Sequence, residues 1–310
     1  VAVPVVGEER DRALEEVFET LIALDPDQSR IAAALRRTID QLYDGQNTGR
    51  YRWDQLHKTE KTHCGTLVEI NLQREFNFKD GVLLDYEIAK HQVDCKYSQS
   101  SGGWMIPNEA HAQVCLLVTA DDAKSTFSAG IVRARREWLN VGRNRDAKAT
   151  LSKAGRENIL WLARNAQLPP NILLGLPADD ILAIFAPQSG QRRVNELFRR
   201  AQGRRITRGV VATVAQQADY MKRVRGNGGA RSSLAPEGII VLGHYGAHRA
   251  VGRCLGLEEL LAGESMSVRV VPADEADYWT AEIDGRLWRV ADAHDPVVTA
   301  PTLPPVSAAW

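Results

Sequence analysis

The sequence predicts an α/β fold: a mixed β-sheet flanked by helices, followed by a second domain. Three observations lead there. Apolar residues recur at helical spacing through the first forty positions, short alternating runs of strand type begin near Val82, and a Leu168-Pro169-Pro170 break precedes an arginine-rich second half. The chain's 310 residues exceed the usual size of one domain, about 100–200 residues, and so agree with two.

The first stripe is Leu14, Val17, Phe18, Leu21 and Ile22. The second, Ile31, Leu35, Ile39 and Leu42, starts after Ser29 and stops at Gly45, so two amphipathic helices open the chain. Thr66 to Phe76 fits a helix through Val68, Leu72 and Phe76 and a strand equally well through Val68, Ile70 and Leu72; helix is the expectation adopted. Strands are expected between Val82 and Tyr97, at Val114 to Thr119, which is apolar enough for the centre of a sheet, and at Phe127 to Val132. A helix is expected to begin near Ser152 and to run through Ile159, Leu160 and Ala163.

Consecutive prolines suit neither a helix nor a central strand, so Asn165 to Pro170 reads as a linker. The expected organisation is a first domain of residues 1–163, a linker over 164–171 and a second domain of residues 172–310. In the second, Val194, Leu197, Phe198 and Ala201 mark a helix ended by Gly203. Val210 to Val214 fits strand or helix, and Gly238 to Gly243 is rich in strand formers.

Composition narrows the function classes. With 44% hydrophobic and 25% charged residues the chain is an ordinary globular protein, which excludes wholesale disorder. No apolar run approaches the roughly 20 residues of a membrane span, and Glu8, Glu9, Arg10 and Asp11 follow the opening residues too closely for a signal peptide. Cys64, Cys95, Cys115 and Cys254 are widely spaced with no Cys-x-x-Cys pair, as expected of free thiols in a cytoplasmic protein.

Formal charge is zero, but it is unevenly distributed. Eleven basic residues between Gly190 and Arg231 face only Glu196 and Asp219, whereas Leu257 to Trp310 holds ten acids and three arginines. A polyanion responds to the local field, and a solvated helix face explains an arginine-dominated run less well than nucleic-acid contact does. Gly226, Gly228 and Gly229 permit a tight or flexible loop that brings Arg225 and Arg231 toward a phosphate backbone.

The chemistry is concentrated in Asp85-Tyr86-Glu87-Ile88-Ala89-Lys90-His91-Gln92-Val93-Asp94-Cys95-Lys96. In an extended strand Asp94 and Lys96 share one face, while Val93, Cys95 and Tyr97 take the apolar one. A hairpin would bring Asp85 to Asp94, and two carboxylates held together call for a proton or a hard cation between them. Magnesium suits oxygen ligands and shares its shell with substrate phosphate. Lys96 is then placed to orient water or to shield developing charge, and Glu69, between Val68 and Ile70, is a candidate third acid. Taken alone, an acid and a lysine two apart on a strand are more often a solvated pair. Glu87 and Lys90 read as surface charges and His91 as a turn residue.

The string resembles the PD-(D/E)xK nuclease signature, with Asp85 as first acid and Asp94-Cys95-Lys96 as the acid-x-lysine half, though no proline precedes Asp85. Longer stretches are similar to the NaeI restriction endonuclease family. They are Asp40 to Gln46, Gly49 to Leu72, Arg193 to Arg200, Ala212 to Gln217 and Met221 to Gly226. That resemblance implies a restriction-endonuclease-like first domain and a C-terminal domain with a helix-turn-helix of the catabolite-activator type. It implies a homodimer that cuts double-stranded DNA when two copies of a palindromic site are bound, one as substrate and one as effector. The implied site is GCCGGC, cut to blunt ends. The implied catalytic residues are Glu69, Asp85, Asp94 and Lys96, with Mg2+ at Glu69, Asp85, Asp94 and Cys95. Expected DNA contacts are Lys58, Lys61, Arg204, Arg205, Arg208, Lys222, Arg223, Arg225 and Arg231. The match weakens beyond Leu242, around Tyr245 to Gly263.

Leu42-Tyr43-Asp44-Gly45 looks like the Lys-x-Asp-Gly motif of DNA ligases, but leucine cannot form the phosphoramide, and a helix C-terminus explains these residues. Two rival readings remain at this stage. One is a DNA-binding regulator with an inert nuclease-like domain; the other is a repair nuclease that cuts without a fixed sequence.

Overall fold

A computed structural model describes residues 11–140, 148–274 and 276–305. The segment Glu8 to Arg10, invoked above against a signal peptide, lies outside them. The chain divides into two compact units, one of residues 1–42 and 52–170, the other of residues 43–51 and 171–310.

The first unit opens with α1 (Arg12–Leu24) and α2 (Ser29–Tyr43, whose last residue counts with the second unit), as the two stripes predict. Asp11 caps α1 by accepting the Leu14 N–H, and Leu14, Val17 and Leu21 are its buried face. Asp25 accepts the N–H groups of Arg30 and Ile31 and so anchors the first turn of α2. Residue 45 begins the short α3 (Gly45–Thr48), which belongs to the second unit.

The chain returns to the first unit as α4 (Lys58–Phe76), settling the ambiguous segment as helix. Cys64, Val68, Leu72 and Phe76, four residues apart, are its buried stripe. There follow β1 (Lys79–Asp80), β2 (Tyr86–Ile88), β3 (His91–Tyr97), β4 (Val114–Asp121) and β5 (Thr126–Arg133). After α5 (Lys153–Glu157) comes β6 (Leu160–Gln167). The six strands form one sheet in sequence order, antiparallel except for the parallel β3–β4 pair. β4, with seven of its eight residues buried, is central as its composition predicts.

Two expectations fail at β6. The helix begun at Ser152 stops at Glu157, and residues 160–163, assigned to it from their spacing, are strand. Residues 164–167, assigned to a linker, complete that strand. The cause is a register irregularity opposite Phe127 and Ala129, where Asn165 takes a left-handed φ of 50° and its N–H bonds the Ser128 hydroxyl. Such a bulge breaks the alternation by which a strand is read from sequence.

The second unit contains α6 (Ala178–Phe185), α7 (Gly190–Arg200), α8 (Arg208–Ala215), a 3-10 turn at Tyr220–Val224, and α9 (Ala230–Leu234). Then come β7 (Ile239–Gly243), α10 (Gly246–Cys254), β8 (Ser265–Pro272), β9 (Ala281–Ile283) and β10 (Arg286–Val290). The strand order is β7-β8-β10-β9. Val194, Leu197, Phe198, Val211 and Val214 lie in its helical core. α3 packs against α8 so closely that a Cβ on Gly45 would sit 2.1 Å from the Thr213 hydroxyl, which restricts position 45 to glycine.

Candidate active site

Strand parity and hairpin register build the site. β2 and β3 pair antiparallel with Tyr86 opposite Val93, which brings Asp85, the residue just before β2, beside the Asp94 to Lys96 stretch. The Asp85 carboxylate accepts the Cys95 N–H at 2.6 Å. Lys96 Nζ lies 2.7 Å from Asp94 Oδ1, 3.4 Å from Asp85 Oδ2 and 2.9 Å from the Cys95 carbonyl. The ammonium therefore occupies the place between the two acids where their repulsion calls for positive charge.

Glu69 projects from α4 near these groups. The Tyr86 hydroxyl donates to the Glu69 carbonyl at 2.7 Å and pins that turn of the helix to β2. Burial raises the Glu69 carboxyl above the ordinary glutamate value; the Asp85 and Asp94 charges add to this, and Lys96 opposes it. The structure thus brings Glu69, Asp85, Asp94 and Lys96 close enough for their charges to act on one another.

Asp94 is the most perturbed of the four. It is 3% exposed, and burial pushes its carboxyl up to about 6 against the opposing charge of Lys96. One of its oxygens, Oδ2, is buried without a hydrogen-bond partner among the described residues. For Lys96, burial by itself lowers the ammonium, but Asp94 and Asp85 more than compensate and keep it protonated.

Cys95 enters differently from the other three expected metal ligands. By strand parity its buried thiol takes the face opposite Asp94 and Lys96 and is pushed up to about 12 by burial, which disfavours the thiolate; its carbonyl, bonded to Lys96, is the atom turned to the lysine. Among the described residues no three side chains of His, Cys, Asp or Glu make a ready metal cage. Magnesium is ordinarily held by one or two carboxylates with water and substrate phosphate. The unpartnered Asp94 oxygen beside Asp85 is an oxygen donor set of that kind.

The expected DNA-contact residues are scattered in character. Lys58 is exposed and Lys61 half-buried on the first turn of α4. In the second unit Arg204, Arg208, Lys222 and Arg225 are exposed. Arg205 is near Glu258 and Glu264, while Lys222 and Arg223 both pair with Asp219. Arg231 is recessed, its Nε donating to the Val241 carbonyl at 2.8 Å. Much of the remaining arginine run serves the fold: Arg193 donates to the Val214, Ala215 and Pro187 carbonyls, and Arg199 bridges Glu196 and Glu237.

One residue bearing on the site escaped sequence reasoning. Gln92 accepts the N–H groups of Val82, Leu83 and Leu84, the three residues leading into Asp85. Its signal was parity, since it lies two positions before Asp94 on the same strand.

A mixed sheet with flanking helices that carries an acid–acid–lysine cluster at a hairpin is a nuclease-like α/β arrangement. Comparison with known proteins specifies it further. The family model described as restriction endonuclease NaeI matches residues 15–299, and the type II restriction enzyme NaeI of Lentzea aerocolonigenes is 53% identical over 314 residues, covering 98% of each chain. The chain belongs to the NaeI restriction endonuclease family and is a DNA-binding restriction endonuclease. That membership does not favour an inert regulator. No helix among the described residues is long and apolar enough to cross a membrane.

Proposed function

We propose that this enzyme hydrolyses both strands of a GC-rich palindrome, GCCGGC with blunt ends, in a magnesium-dependent reaction at Glu69, Asp85, Asp94 and Lys96. The observation that carries the reading is the placement of the Lys96 ammonium between Asp94 and Asp85, with the second Asp94 oxygen unpartnered.

Water attacks phosphorus in line; its oxygen bonds phosphorus, the P–O3′ bond breaks, and a proton reaches the departing 3′ oxygen. The products are a 5′-phosphate and a 3′-hydroxyl. Asp85, Asp94, Glu69 and the Cys95 carbonyl would hold the divalent ion, which supplies Lewis-acid stabilisation of charge on the phosphate. Lys96, kept protonated by its two acids, serves as a charge stabiliser and water-orienting donor and not as the base. The Glu69 carboxylate makes no hydrogen bond or ion pair among the described residues and is free to contact the attacking water.

The first unit is the endonuclease domain in this reading, and the second binds a further copy of the site. The helix-turn-helix that the reading calls for is assigned to α8, the four residues 216–219 and the 3-10 turn that carries Lys222 and Arg223, an order of elements that supports the reading. A two-fold dimer places one catalytic site on each strand of a palindrome. Effector occupancy and substrate affinity are coupled reciprocally.

Digestion of plasmid DNA with magnesium, followed by sequencing of the fragment ends, tests site, cut position and products together. Lys96→Ala should abolish cleavage while DNA binding survives. Cleavage by that variant at the normal rate removes the proposed site, and ends without a fixed sequence favour a structure-specific nuclease.

A further inference from the structure

The segment preceding Asp85 is a tight turn with an unusual filling. Gly81 donates its N–H to the Asp85 carbonyl at 3.3 Å, closing the turn. Inside it a single side-chain oxygen, Gln92 Oε1, accepts three successive backbone N–H groups: Val82 at 2.8 Å, Leu83 at 3.1 Å and Leu84 at 3.4 Å. The space is tight. A Cβ on Gly81 would lie 2.1 Å from the Leu84 carbonyl oxygen and 3.0 Å from Gln92 Oε1.

At the tip of this turn the side chains do not hold it in place; only Leu84, next to Asp85, is buried, in the core with Trp104 and Ile106. Val82 and Leu83 are 85% and 81% exposed, so they contribute almost no packing to fix the backbone between β1 and β2. A turn without a packed side chain at its tip is held by its hydrogen bonds, and three of these converge on one residue.

We propose that Gln92 is a positioning residue for DNA cleavage: by gathering the N–H groups of residues 82–84 it fixes the backbone that delivers Asp85 to Asp94 and Lys96. The inference rests on the reading of Asp85 as a catalytic acid. Gln92 and Asp94 are two apart on β3, so one strand face carries both the scaffold of the turn and the acid that the turn must meet. The Asp85 carboxylate has its own anchor, the Cys95 N–H, and that bond forms only when the turn presents Asp85 at the right height.

Two substitutions separate the acceptor from its bulk. Gln92→Met keeps the length and volume and removes the acceptor; Gln92→Glu keeps an acceptor at the same reach. In Gln92→Met the single-turnover cleavage rate should fall, by up to about 100-fold for a displacement on the order of 1 Å, with DNA affinity and melting temperature close to wild type. Gln92→Glu should recover most of that loss. Amide hydrogen exchange of residues 82–84 in the metal-free protein gives a readout independent of activity, slow in wild type and Gln92→Glu and faster in Gln92→Met.

A Gln92→Met enzyme with wild-type rate, unchanged exchange at 82–84, or a rate loss that Gln92→Glu fails to recover overturns the proposal. Asp85→Asn belongs in the same series. If it cleaves normally the reading of the site is wrong, whereas an inactive Asp85→Asn beside a normal Gln92→Met removes only the role of Gln92.

Discussion

Acidification should weaken the second unit through one histidine. His248, 2% exposed on α10, accepts the Gly243 N–H at Nδ1, 3.0 Å away, and its Nε2 lies 3.2 Å from the Pro304 carbonyl. Both bonds require the neutral ring with its proton on Nε2, and protonating Nδ1 breaks the first. Burial, with the nearby Arg231 charge, lowers the imidazole to about 4. A histidine lowered on folding binds protons more readily in the unfolded chain, so its contribution is present above the unfolded value and is lost as pH falls.

With an unfolded pKa of about 6.5 and a folded value of about 4, linkage gives a loss of about 2 kcal/mol between pH 7.5 and pH 5, and of about 3 kcal/mol by pH 4. The assay is native-state hydrogen exchange of β7 and β8 amides in the full-length protein across that range, which reads the second unit alone. His248→Asn supplies the control, because its amide oxygen can take the Gly243 N–H but does not titrate. The pH difference should shrink by about 2 kcal/mol between pH 7.5 and 5 in that variant. An equal pH dependence in wild type and His248→Asn would refute the reasoning, since other titrating groups cancel in the comparison.

Three other perturbations have defined outcomes besides the Lys96 test. Arg36, 8% exposed, pairs with buried Asp122 and with Asp40 at 2.7 Å. Arg36→Met removes this buried ion pair and should cost up to about 3–5 kcal/mol of first-unit stability, read as a lowered denaturation midpoint. Gly45→Ala drives a methyl group into Thr213 and should cost about 1–3 kcal/mol, visible as faster exchange of α8 amides. Arg225 is exposed with no acid partner among the described residues, whereas Arg223 is bonded to Asp219. Arg225→Ala should therefore reduce the log–log salt slope of DNA binding by about 0.9, and Arg223→Ala by less; an unchanged slope for Arg225→Ala places the basic surface elsewhere.

The sequence by itself determined what repeats locally. The stripes of α1 and α2 reported which face each helix buries, and the apolar density of Val114 to Thr119 reported a central strand. Alternation along β3 placed Asp94 and Lys96 together, because side chains two apart on a strand share a face whatever the strand pairs with. The long matches to a known family drew attention to Glu69, which spacing alone left as a candidate.

Only the tertiary structure decided how distant stretches meet. Leu160 and Ala163 carry helix-like spacing yet lie in β6, because the sheet recruits them and a bulge at Asn165 hides the alternation. Eight of the eleven residues of the basic run bond to carbonyls or acids among the described residues, a choice set by which groups the fold brings near and not by charge count. The same holds for Gln92: its sequence position gives its face, but only closure of the turn at Gly81 and Asp85 puts three amides within reach of its oxygen. A periodic pattern fixes direction, whereas hydrogen-bond partners depend on register and loop closure, which are long-range properties of the folded chain.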